Sequence, residues 1–188
     1  MNKQIISFPV PKTGKISLVV APKTVIHSLM SMLAVLALRR RVIVVDGGNC
    51  FDAYSLARAL RRRTHQIQPA LKAVQLSRAF TCYQMVAMLA ELPVDGTPVI
   101  VLDLLSTFLD ENVNFSKRQR LLESSLNLLR QISEGAPVAA WARAHPAAEG
   151  EYQQLLMPLA GNSPRYLGAA NAGNTRPPTA LVLIDHRI

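Results

Sequence analysis

Cysteine is scarce in this chain: two residues, Cys50 and Cys82, among 188. Two thiols exclude a disulfide framework, and no Cys-x-x-Cys or paired Cys/His spacing offers a metal site. They read as the reduced thiols of a cytoplasmic protein. Histidine is equally thin. His27, His65, His145 and His186 are scattered, none at His-x-x-x-His or His-x-x-Glu spacing, so each reads as a satisfied or solvated ring and no metal is expected. No Gly-x-Ser-x-Gly elbow frames a nucleophilic serine. Long apolar runs are missing too. The longest, Val25 to Leu38, is broken by His27, Ser28 and Ser31, and it falls short of the about 20 residues that a bilayer span takes. It is expected to be a core helix with no membrane contact. Met1 to Pro11 lacks the apolar stretch of a secretory leader, so none is expected.

Acid is in short supply: 12 Asp and Glu stand against 21 Lys and Arg, a formal charge of +9. An excess of this size favours acidic partners such as nucleic acid, through the field it projects and the counterions it displaces. A merely basic surface is the equal alternative. The hydrophobic fraction of 49% is that of a globular protein. The length fits one domain over residues 1–188, with its core over 15–143 and a loop-rich part over 144–188.

What is present is an alternation of two patterns. Ile16–Val20, Val42–Val45, Val99–Leu102 and Ala180–Ile184 are short apolar runs rich in β-branched residues. Unbroken runs of this kind suggest strands buried on both faces, as in parallel sheets. Val74–Leu76 and Val138–Trp141 are weaker strand candidates. Between them lie helical patterns. Val25–Leu38 is apolar nearly all round. Asp52–Arg63 has Asp52 as N-cap and Tyr54, Leu56 and Leu60 expected inward. Thr81–Leu92 carries Val86, Leu89 and Ala90. Ser116–Glu134 carries a stripe of Leu121, Leu122, Ser125, Leu126, Leu129 and Ile132, with Gly135 placed as a C-cap. Glu151–Leu159 is a short helix candidate, and Asn162–Pro178 reads as a long loop. Strands alternating with helices predict an α/β fold with a doubly wound, mostly parallel sheet.

Three stretches carry a more specific likeness. Val44-Val45-Asp46-Gly47-Gly48-Asn49-Cys50-Phe51 is similar to a recombinase strand that ends in an Asp, a catalytic Glu and a closing Phe. Leu76-Ser77-Arg78-Ala79-Phe80-Thr81 is similar to an "ARAF" turn leading into a helix. Val99-Ile100-Val101-Leu102-Asp103 looks like a Walker B strand, followed at similar distance by Lys117-Arg118-Gln119 and a long amphipathic helix. In this order and spacing, Val42 to Arg143 resembles the core of the RecA superfamily, in particular the archaeal and eukaryotic recombinases and their paralogues. The resemblance implies a RecA-like P-loop NTPase fold.

The phosphate site departs from that pattern. A P-loop needs Gly-x-x-x-x-Gly-Lys-Ser/Thr, because a glycine-rich loop must aim several backbone N–H groups at the phosphates. Here only Ala21-Pro22-Lys23-Thr24 stand between strand and helix, both glycines are missing, and Pro22 removes one N–H. Where the resemblance places the catalytic Glu, this chain has Gly48, so no carboxylate is left there to orient a water. Lys23, Thr24 and Asp103 are therefore expected to be vestiges of a nucleotide site, with no cofactor bound and no hydrolysis.

In open α/β sheets ligands meet the loops at the carboxyl ends of the strands. The resemblance implies two DNA-holding loops there, corresponding to Leu109–Arg120 and Ala142–Thr179. They carry Lys117, Arg118, Arg120, Arg143, Arg165 and Arg176 as candidate phosphate contacts, Asn162, Asn171 and Asn174 as further polar groups, and Tyr152 and Tyr166 as candidates for base stacking. Two arginine triplets, Arg39-Arg40-Arg41 and Arg61-Arg62-Arg63, fall at helix C-termini, where cations oppose the helix dipole. They are expected at the opposite edge of the sheet, as a second basic face or a partner's docking place. The expected function is a non-hydrolysing RecA-fold protein that binds nucleic acid or a recombination and repair complex. The alternatives are a protein-interaction regulator of the cell-division-inhibitor kind, built on an inactive RecA fold, and an ATPase with an atypical loop.

Overall fold

The computed structural model of the chain describes residues 10–144, 150–160, 165–166 and 182–187. Five strands form a parallel sheet: β1 (Lys15–Ala21), β2 (Val42–Asp46), β3 (Val74–Arg78), β4 (Val99–Leu102) and β5 (Val138–Arg143). Beside β1 lies a sixth strand, β7 (Val182–Arg187), antiparallel to it and paired in turn with the short β6 (Arg165–Tyr166). The order across the sheet is β3-β2-β4-β5-β1-β7-β6.

The apolar runs are unbroken because helices cover both faces. Along β2, Val42 and Val44 point to one face and Ile43 and Val45 to the other, and all four are buried. The first face is covered by α1 (Ile26–Ala37), α2 (Ala53–Arg61) and α3 (Ile67–Lys72), packed on Val19, Ile100, Leu102 and Trp141. The second is covered by α4 (Cys82–Ala90), α5 (Phe115–Gly135) and α6 (Glu151–Ala160), packed on Leu18, Val99, Val101 and Ala140. This is the doubly wound arrangement that the alternation of patterns predicts. Buried leucines such as Leu33, Leu122 and Leu129 each contribute about 1.5–3 kcal/mol, which is why α1, poor in polar residues, can lie against the sheet without a side-chain cap.

Local chemistry sets the helix starts. Asp52 accepts from Ser55 N at 2.9 Å and begins α2. Thr81 accepts from Gln84 N at 3.2 Å while Gln84 Oε1 accepts from Phe80 N at 2.8 Å, which fixes the turn from β3 into α4. Asn114 accepts from Ser116 N at 3.0 Å and begins α5.

Several expectations are corrected. Tyr54 is not inward: it is 70% exposed. Leu56 and Leu60 are four residues apart and share the buried stripe of α2, whereas Tyr54, two residues before Leu56, lies about 200° round the helix. Gly135 is not a left-handed cap. It is the last residue of α5, capped by Ala136 in an extended conformation; a Cβ on it would lie 3.2 Å from Val94 Cγ1. The helix α3 had no strong sequence signal, since it is six residues long and contains Pro69. The stretch read as a long loop contains β6. Among the described residues no helix is long and apolar enough to cross a membrane.

Candidate functional site

At the carboxyl edge of the sheet, neighbouring strands send their loops to opposite faces: β2 to α2 and β4 to α5. Such a point normally opens a crevice for a ligand. Here the chain's own side chains fill it. Asp46, fully buried at the end of β2, accepts from Cys50 N at 3.0 Å, Phe51 N at 2.9 Å and Gly48 N at 3.3 Å. Cys50 Sγ lies 3.4 Å from its Oδ1, and Arg78 Nε, from the end of β3, lies 3.7 Å from its Oδ2. The carboxylate thus knots the loop 47–51 back onto the strand. A buried carboxylate with several N–H donors and a cation nearby is a structural anchor.

Asp103 stands just beyond β4 with a φ of 50°, in the left-handed region that Asp tolerates better than most residues. Its side chain turns toward β5, where Oδ1 accepts from Arg143 N at 3.0 Å and Oδ2 meets Arg143 Nη2 at 2.7 Å. On the other side it abuts β2's loop: a Cβ on Gly48 would come within 2.4 Å of Asp103 Oδ2. A Cβ on Gly47 would lie 2.7 Å from the movable Met85 Cε and 3.0 Å from the Asp103 carbonyl oxygen. Gly48 therefore has a packing reason to be glycine, and a carboxylate-bearing side chain has no room at that position.

The end of β1 is closed as well. The Ala21 carbonyl accepts from Trp141 Nε1 and from Ala144 N, both at 2.9 Å, which pins it to β5. Only Pro22 separates β1 from the short 3-10 turn Lys23–Val25, in which Lys23 and Thr24 are exposed. No looped set of N–H groups surrounds them, so Lys23, Thr24 and Asp103 are not assembled into a phosphate cradle. Among the described residues no group of three or more His, Cys, Asp or Glu is arranged to hold a metal.

The six cations read from the sequence separate sharply. Lys117 is exposed, 5.0 Å from the centroid of the Tyr83 ring, and its hydrogen bond with Tyr83 raises its pKa above the usual lysine value. Arg120 is exposed. Arg118 is corrected: it is 3% exposed, donating from Nε to Val113 O at 2.8 Å and from Nη1 to Phe108 O at 3.2 Å, with Nη2 paired to Glu151 Oε2 at 2.7 Å. It staples the loop after β4 and α6 to the start of α5 and has no face left for a phosphate. Arg143 is held by Asp103 with its side chain 29% exposed. Tyr152 is corrected too: it is buried, and its hydroxyl donates to Arg143 O. Arg165 lies in β6 with Tyr166; Arg176, Asn162, Asn171 and Asn174 lie outside the described residues.

The burial of Arg118 had a signal in the sequence. It precedes Leu122, Ser125, Leu129 and Ile132 at helical spacing, so it belongs to the same stripe of α5. The Asp103–Arg143 pair had none, because 40 residues separate its members. No protein-family model matches the chain, and no curated protein matches it either.

Proposed function

We propose that this chain is a non-hydrolysing protein built on a RecA-like core and that it works by binding nucleic acid, alone or within a recombination and repair complex. One observation carries the reading: the guanidinium of Arg143 sits 2.7 Å from Asp103 Oδ2 while Gly48 packs against the same carboxylate. Asp103, the residue that the Walker B resemblance singles out, is paired with a cation of the chain itself, which supports a reading without nucleotide. The carboxylate that remains, Asp46, is spent on the 47–51 loop. What the surface offers instead is charge, 21 cations against 12 acids, and excess cation is the basis of nucleic-acid affinity.

The test is direct. Purified protein should show no ATP turnover above background, and Lys23→Ala should change neither stability nor nucleic-acid affinity. It should bind DNA with an affinity that falls steeply with salt. Lys23-dependent turnover would overturn the non-hydrolysing half, and failure to bind DNA or RNA at low salt would overturn the other. The second reading, a protein-interaction regulator, is favoured by two exposed aromatics, Tyr54 in the first turn of α2 and Phe80 just beyond β3, 70% and 69% exposed. It calls for association that is insensitive to salt.

A further inference from the structure

The carboxyl edge is a poor phosphate-binding surface. Arg118 and Arg143 are consumed internally, and Asp110 and Glu111 stand in the loop just before α5, whose first turn carries Lys117. The opposite edge is different. The helices α1 and α2 both return from the carboxyl edge to the amino edge, and they run side by side: His27 Nδ1, in the first turn of α1, lies 2.9 Å from Ser55 Oγ in the first turn of α2. Each ends in a tight turn of the same build. The Leu36 carbonyl accepts from Arg39 N and Arg40 N, and the Leu60 carbonyl accepts from Arg63 N and Thr64 N. Each turn carries one arginine triplet. The end of α3 joins them, because Val42 N donates to Ala73 O at 2.9 Å and so sets Lys72 beside the first triplet.

The distance between the triplets follows from helix geometry. From the His27–Ser55 contact, Arg40 lies 13 residues along and Arg62 seven. The offset of six residues is about 9 Å along the axis, and helices in contact stand about 8–10 Å apart. The two groups thus lie within reach of the phosphates of one nucleic-acid face.

We infer that this amino edge, formed by Arg39, Arg40, Arg61, Arg62 and Lys72, is a surface for the phosphate backbone of a nucleic-acid duplex. The inference rests on the nucleic-acid reading above and moves its site from the carboxyl-edge loops to the other end of the sheet.

All five side chains are exposed. Two neighbours are partly engaged, Arg41 with Asp95 at 3.6 Å and Arg63 with Ala59 O and Ser31 Oγ. Arg39, Arg40, Arg61 and Arg62 have no ion pair or side-chain hydrogen bond among the described residues. Favourable placement at a helix C-terminus accounts for a cation in the last turn, but not for six arginines in two turns. Asp95 meets one of the six, Arg41, and the other five are paired with no acid among the described residues; brought together they repel one another, and a polyanion removes that cost. The choice of arginine matters, since its planar fork meets phosphate oxygens two at a time. A duplex is the favoured form because the stacking groups that single strands use are elsewhere: Tyr54, Phe80 and Tyr83 are exposed at the carboxyl edge. A membrane surface is disfavoured because few apolar side chains accompany the cations, Leu38 exposed by 40% and Val94 by 71%.

The test compares the full chain with two variants. One replaces Arg39, Arg40, Arg61 and Arg62 by Ser; the other replaces Lys117 and Arg120 by Ser. Binding to a labelled 30-base-pair DNA duplex, a single strand of the same sequence and vesicles of anionic phospholipid is measured over a salt series. The first variant should bind the duplex about 100-fold more weakly at low salt and flatten the log–log salt slope by about three; the second should match wild type in slope within about one unit. Replacing the same four arginines by Lys should keep most of the slope, which separates charge from misfolding, and circular dichroism should be unchanged in all. Wild-type slope in the first variant would overturn the inference and leave the nucleic-acid reading standing. Binding of neither duplex nor single strand by wild type at low salt would overturn both. Tighter binding to vesicles or to single strands than to duplex would overturn the assignment of this edge to duplex phosphate.

Discussion

Gly48 and Asp103 are so close that a Cβ on residue 48 would lie 2.4 Å from the carboxylate oxygen that pairs with Arg143. The contact joins β2's loop to the end of β4 and, through Arg143, to β5. It makes the absence of a carboxylate at position 48 a packing requirement of this chain. Gly48→Ala is expected to destabilise by about 1–3 kcal/mol, the usual cost of overpacking, read as a lower urea midpoint at unchanged slope. Gly48→Glu should fold poorly and should gain no ATPase activity. A fully stable Gly48→Glu protein would mean that the crevice is open.

Arg118 ties three segments together, and its removal should be felt as lost stability. Arg118→Ala leaves Phe108 O and Val113 O without their donor. Unsatisfied buried groups cost about 1–3 kcal/mol, to which the lost packing of the long side chain adds. Glu151→Gln should cost below about 1 kcal/mol, because Glu151 is 53% exposed and its ion pair is screened. Equal losses in the two variants would show that the ion pair, rather than the carbonyl contacts, is what matters.

Strand and helix patterns were legible wherever one element decides its own face. The stripe of α5 and the runs of β2 and β4 are of this kind, because covering both faces of a parallel sheet leaves a run such as Val42–Val45 no polar alternation. Tyr54 faces outward because its angle to Leu56 and Leu60, rather than its aromatic character, sets its side of the helix. The candidate site was less legible. Charge marked Arg118 and Arg143 as phosphate contacts, yet charge alone does not tell whether a guanidinium meets solvent or a carbonyl. Arg143 finds Asp103 only once β4 and β5 are neighbours in the sheet, and no local pattern encodes that adjacency.

Asp52 gives a pH dependence whose sign can be worked out. The hydrogen bond to Ser55 holds its carboxyl below the usual carboxylate range, with a smaller contribution from His27. A depressed folded-state pKa means that the unfolded chain takes up a proton first as pH falls. The stability from this cap is therefore present above about pH 4 and is lost as the pH drops through the folded value. Asp52→Ala should cost about 1 kcal/mol at pH 7. Asp52→Asn, which keeps an acceptor, should cost less and should remove this share of the acid sensitivity. Acid unfolding curves of the three proteins check it; parallel curves below pH 4 would deny Asp52 a part.

Cys50 gives the opposite dependence at the other end of the scale. Burial pushes its thiol well above the ordinary value, and the neighbouring Asp46 carboxylate pushes it further, by its charge and by accepting from Sγ. Only a thiolate with access reacts, and both conditions fail in the folded state, where Cys50 and Cys82 are buried. At pH 8 an aromatic disulfide reagent should therefore label the native protein slowly, at a rate that rises with urea as the chain opens. The unfolded thiol ionises above about pH 8.5 while the folded one keeps its proton, so the unfolded state binds fewer protons there and stability falls as pH rises. Cys50→Ala should flatten that decline between about pH 8.5 and 10, at the cost of some packing. Asp46→Ala should speed labelling of Cys50 at pH 8 in the absence of urea, because the loop 47–51 loses the acceptor that holds Cys50 N and Phe51 N. Rapid labelling of Cys50 in the wild-type protein, without denaturant, would show that the knot at Asp46 does not hold the loop closed.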